Sequence, residues 1–157
     1  LIFSGILFAN TINDNKSTAK TQENIDIPEV DSYKSALCGF CRKWINHLRD
    51  NGLEVADNKV EDVSERKKYY QIPNSLKTCN SAKKGKYTIK GHVPIESINK
   101  LFKEKPSFSG IAFPGMPHGS PGIEIHSHES HSNNYESYEV VSFSKKGKTI
   151  IFEKISP

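Results

Sequence analysis

Apolar positions recur through the middle of this chain with two periods, and each run is closed by a glycine or a proline. Cys41, Trp44, Ile45 and Leu48 are spaced by three and four, which sets them on one face of a helix, and Gly52 is placed to end it. Ahead of that helix, Val30 to Leu37 reads as a strand running into Cys38. Beyond it, Leu53 to Val60 is a second strand, with Leu53 and Val55 alternating, and Val63 to Tyr70 is a short helix stopped by Pro73. Lys86 to Val93 alternates around Tyr87 and Ile89 as a strand. Pro94 then opens a helix over Ile95 to Lys103, with Ile95, Ile98, Leu101 and Phe102 facing inward. From Pro106 to Gly122, four prolines and four glycines fall within seventeen residues, so an irregular loop is expected, with neither a helix nor a central strand. Tyr138 to Phe143 and Thr149 to Glu153 alternate again, joined by Lys145-Lys146-Gly147-Lys148 as a terminal hairpin. This order predicts an α/β fold with a mixed sheet, flanking helices and a C-terminal β-hairpin. A Cys-x-x-Cys at the junction of the first strand and first helix narrows it to a thioredoxin-like arrangement. Pro94 stands where the cis proline of such folds would lie beside the cysteine pair.

Three stretches stand outside this patterning. Leu1 to Ala9 is apolar and uncharged but shorter than the about 20 residues a bilayer span needs, so residues 1–9 read as the remnant of a signal peptide. Residues 10–29 are so polar that they read as a disordered linker, which leaves 30–157 as a single folded, metal-binding domain. Glu124 to Asn134 is polar and rich in histidine, and reads as a mobile loop. The hydrophobic fraction of 35% suits one modest core in a chain of 157 residues. The formal charge of +4 is spread without a basic block, which argues against a nucleic-acid partner, and no stretch predicts a stable membrane span.

The candidate chemistry begins at Cys38-Gly39-Phe40-Cys41. A helix N-terminus favours thiolate over thiol, and two thiolates this close can form a disulfide or clamp a soft metal. Cys79 makes the cysteine count three, odd for an exported protein, and an economical explanation is that it joins the other two around an ion. Three thiolates suit Cu(I) better than Mg, Ca or Mn, with Cu(II), or Zn on three Cys and one His, as the alternatives. Met116, the one methionine of the chain, is a soft thioether in the proline-pinned loop, two residues from His118, so both are candidate supporting ligands. His92, just before Val93-Pro94, is a candidate supporting ligand or a hydrogen-bonded structural residue. His126, His128 and His131 form a weak secondary metal site or a solvated loop. His47 reads as a surface residue of the first helix.

Three stretches together carry a family resemblance. They are Cys38-Gly39-Phe40-Cys41-Arg42-Lys43-Trp44 with His47-Leu48, then Gly91-His92-Val93-Pro94, and then Ala112 through Gly122 with its Pro-Gly-Met-Pro-His-Gly core. Over about Tyr33 to Phe152 the chain resembles the CopG-like bacterial metal-binding proteins, a domain of unknown function linked to copper resistance. The resemblance implies an exported protein of thioredoxin-like fold that holds copper on cysteines, with Cys38, Cys41 and Cys79 as thiolate ligands and Met116 in support. The family usually has a further Cys where Phe40 stands, His where Asn80 stands, and often Met where Ile123 stands. One Cu(I), or a cluster smaller than the family's thiolate-bridged one, is therefore the expectation.

The leading expectation is thus a periplasmic protein that holds Cu(I) in copper resistance or homeostasis, more a metal-binding protein than an enzyme. Its partners would be copper ions and a copper exporter or chaperone. The competing ones are a thiol-disulfide oxidoreductase with Cys38 as nucleophile and Cys41 as resolving thiol, and a binding module with a purely structural disulfide.

Overall fold

A computed structural model describes residues 30–76, 78–123 and 137–156. The expected signal remnant, the linker and His126, His128 and His131 lie outside the described residues. The elements run β1 (Val30–Ser35), α1 (Gly39–Asp50), β2 (Val55–Val60), α2 (Val63–Tyr69), β3 (Asn80–Lys84), β4 (Tyr87–Lys90), α3 (Ile95–Glu104), β5 (Gly110–Ala112), β6 (Tyr138–Phe143) and β7 (Thr149–Ile155). They build one mixed seven-stranded sheet in the order β2-β1-β3-β4-β5-β6-β7. β1 is parallel to β2 and β4 to β5, and the other neighbours are antiparallel. No described helix is long and apolar enough to cross a membrane.

α1 follows its sequence pattern closely. Cys41, Trp44, Ile45 and Leu48 are the buried residues of its apolar face. Its end is a Schellman turn: Gly52 takes φ +86°, its N–H donates to the carbonyl of Arg49 (2.9 Å), and the N–H of Leu53 donates to that of Leu48 (3.1 Å). With α3 it covers one sheet face, where Trp44, Ile45, Leu48, Ile98 and Leu101 meet Ala82, Ile89 and Ile111 in the main core. Successive strand residues point to opposite faces, so Ala112, next to Ile111, joins Ile72, Leu76 and Phe143 in a smaller cluster on the other side. Of the inward set expected for α3, Ile95, Ile98 and Leu101 are buried and Phe102 is half-buried against the core.

Two strands depart from expectation. β3, Asn-Ser-Ala-Lys-Lys, has no apolar alternation. It exists because it closes the ladder between β1 and β4, and its buried Asn80 and Ser81 would not mark a strand by pattern. β5 lies inside the stretch expected to hold no central strand, yet pairs with β4 on one side and β6 on the other. The prolines bracket Gly110-Ile111-Ala112 without entering it, so its ladder N–H groups are intact. Gly110 is required there because a Cβ would stand 2.0 Å from the carbonyl oxygen of Thr88. Pro94 precedes α3 as its N-cap, and no described peptide bond is cis, so the Val93–Pro94 bond is trans.

Candidate metal centre

The centre is built where β1 hands over to α1. Cys38 is the N-cap of α1, and its sulfur accepts the N–H of Cys41 at 3.2 Å. The positive end of the helix dipole therefore faces the Cys38 and Cys41 sulfurs, a setting suited to anionic sulfur. These two cysteines form a disulfide. Cys79, carrying no disulfide, sits immediately before β3, and its sulfur lies 2.8 Å from that of Cys41. All three sulfurs fall within 4.8 Å of one another. A soft ion held at about 2.3 Å by each of three sulfurs sets them about 4 Å apart, so the donor set fits such an ion once the disulfide is reduced.

Cys79 is positioned by its neighbours. The buried ammonium of Lys90, on β4, donates to the carbonyls of Asn80 (2.8 Å) and Thr78 (3.5 Å) and to the Ser81 hydroxyl (2.9 Å). The backbone on both sides of the cysteine is thereby tied to the centre of the sheet.

His92 completes the surroundings. Its Nδ1 lies 2.9 Å from the carbonyl oxygen of Pro121. A carbonyl only accepts, so Nδ1 carries a proton, and the neutral ring has its lone pair at Nε2, 3.8 Å from the Cys79 sulfur. A ring nitrogen oriented by a backbone carbonyl on its other side is the usual arrangement of an imidazole ligand. Behind it, Trp44 stacks on the imidazole (centroids 6.1 Å apart, planes 15° from parallel) and donates its indole N–H to the carbonyl of Val93 at 2.8 Å.

Gly122 locks this assembly. It holds φ +86°, and a Cβ would stand 2.9 Å from the Trp44 nitrogen, 3.0 Å from the Phe40 oxygen and 3.3 Å from His92 Nδ1. Gly122→Ala should therefore lower stability by roughly 1–3 kcal/mol and loosen the Pro121–His92 hydrogen bond. Thermal unfolding and the imidazole ¹⁵N shifts of His92 test this. An unchanged melting temperature and unchanged shifts would contradict it.

Cys38, Cys41 and Cys79 thus converge, with His92 beside them. Met116 and His118 are exposed on the loop between β5 and Pro121, Met116 at 56%. Of the positions where the family pattern is broken, Phe40 is half-exposed at the rim, while Asn80 and Ile123 are buried. The side-chain amide of Asn80 meets no hydrogen-bond partner among the described residues. Sequence reasoning missed Lys90, Trp44 as a support for His92, and the Pro121 carbonyl. The small residue forced at Gly122, in a proline-rich loop, was the available signal.

Fold and centre define an α/β protein with a three-sulfur cluster able to take a soft metal. A sequence profile described as "Protein of unknown function, DUF411" matches residues 76–123. No curated protein sequence matches this one. Two solved structures are similar along nearly their whole length. "Copper resistance protein copG- Form 1" is 33% identical, with TM-score 0.73, and the match covers 83% of this chain and 99% of that one. Form 2 of the same protein is 32% identical, with TM-score 0.73, over 82% and 98%. The chain belongs to the CopG-like copper-resistance family.

Proposed function

We propose that this chain is an exported copper-binding protein that holds Cu(I) on the reduced sulfurs of Cys38, Cys41 and Cys79 and serves copper resistance in the periplasm. The observation that carries the reading is the convergence of three sulfurs within 4.8 Å at a helix N-terminus. Soft thiolates favour Cu(I) over hard cations. The oriented Nε2 of His92 is a candidate fourth donor, and Met116, on its exposed loop, a candidate cap. A disulfide between Cys38 and Cys41 suits an oxidising compartment, which supports export. A thioredoxin-like core is supported by the order β2-β1-β3-β4, with α1 crossing between the parallel strands and the cysteine pair at its start. Copper is the cargo in this reading, and a copper exporter or chaperone is its delivering or receiving partner.

The test is an anaerobic Cu(I) titration against a chromophoric chelator, run on the reduced and on the disulfide-closed protein. The reduced form should bind tightly, and the closed form at least about a hundredfold more weakly, because two of its three sulfurs are engaged. Weak binding by both forms would overturn the reading. The disulfide itself favours a second one, a thiol-disulfide oxidoreductase acting through Cys38 and Cys41.

A further inference from the structure

We propose that the three cysteines form an internal exchange relay, in which Cys79 attacks the Cys38–Cys41 disulfide at Cys41 and releases Cys38 as the free thiol. The proposal concerns the sulfurs of the reading above and rests on their being a chemically active cluster, but it needs no metal.

The geometry selects the direction. The Cys79 sulfur stands 2.8 Å from Cys41, so the sulfur under attack is already in contact. The leaving sulfur is that of Cys38, which accepts the N–H of Cys41 at the positive end of α1, a placement that stabilises a departing thiolate. In the step, the sulfur of deprotonated Cys79 supplies an electron pair to Cys41 Sγ. A Cys41–Cys79 bond forms as the Cys38–Cys41 bond breaks, and the electron pair of the broken bond leaves on Cys38. The proton given up by Cys79 to water is matched by one taken up by Cys38. One thiol and one disulfide enter, and one thiol and one disulfide leave, so no oxidant, reductant or co-reactant is consumed.

The exchange changes what the oxidised protein presents. Before it, the thiol lies half-buried beside His92. After it, the thiol is that of Cys38, likewise part-buried, at the N-cap of α1 and near Leu37, which is 95% exposed, and the half-exposed Phe40. Cys41 is fully buried and stays bonded in both forms, so it is the pivot, and an outside thiol or disulfide meets Cys38.

The experiment traps the two isomers. Metal-free protein carrying one disulfide is equilibrated, quenched with N-ethylmaleimide under mildly acidic denaturing conditions, and cut with chymotrypsin. Cleavage after Phe40 separates Cys38 from Cys41, so mass spectrometry reads each linkage separately. The expected result is maleimide on Cys79 in one population and on Cys38 in another, the latter with a Cys41–Cys79 linked peptide. Label on Cys79 alone, at every equilibration time, would overturn the relay. Cys38→Ser gives a second check: mild oxidation should consume both remaining thiols within the monomer. Retention of both thiols in a variant with native circular dichroism would also overturn it. A failed copper titration leaves these outcomes untouched, so the two proposals fail separately.

Discussion

Cys79→Ser should lower the Cu(I) affinity of the reduced protein by at least about a hundredfold while leaving the fold intact. Losing a group that only hydrogen-bonds a metal ligand costs a metal site about 10–100-fold, and a lost thiolate donor should cost no less. A serine hydroxyl is a hard, neutral oxygen that cannot replace a soft anionic sulfur, so only two thiolates remain. The fold should survive because Cys79 precedes β3 and belongs to neither apolar cluster. The melting temperature of the metal-free variant should stay within a few degrees of the parent, as for substitutions outside packed cores. Chelator competition gives the affinity. Equal affinity in variant and parent would show that the third sulfur is a bystander.

Trp44→Ala should cost about 3–5 kcal/mol of stability, the range for truncating a large buried aromatic. Trp44 is wholly buried at the centre of the main core and is among its largest side chains. Its loss also leaves the Val93 carbonyl without its indole donor and removes the plane against which His92 stacks. The melting temperature should fall by roughly 10 °C or more. A drop of only a degree or two in thermal or urea unfolding would mean that the cavity collapses and α1 repacks. Trp44→Phe restores most of the volume but not the N–H, so it should recover the packing part and leave the cost of the unpaired carbonyl.

How legible the chain was depended on whether a side chain's partners lie near it in sequence. The apolar face of α1 was readable because Cys41, Trp44, Ile45 and Leu48 obey a helical period within eight residues, and Gly52 sits where the C-terminal turn needs a positive φ. The terminal hairpin was readable for a similar reason, its two strands being joined by a lysine-glycine turn. β3 was not, since Asn80 to Lys84 is a strand by virtue of β1 and β4 on either side rather than by its own pattern. β5 was hidden because three residues are too few for a period, and the surrounding prolines describe the loop rather than the segment they bracket. At the candidate metal centre, the cysteine pair announced itself by spacing, and Cys79 entered through the odd count and the family resemblance. The interlock of Trp44, His92, Pro121 and Gly122 joins three distant segments, and no local pattern encodes it.

That dispersion has a consequence for how the protein matures. Cys41 and Cys79 are 38 residues apart, Cys79 and His92 are 13 apart, and His92 meets the carbonyl of a residue 29 positions further on. A growing chain offers the Cys38–Cys41 pair first, adds its third sulfur only when β3 docks on β1, and fixes its imidazole only after Pro121 has emerged. Each of these joints is a long-range contact that forms late because the intervening loop must first be ordered. An ion caught early by the bare pair would be held by two donors and remain exchangeable. Under the proposed function, full-strength loading would then be the closing event of maturation.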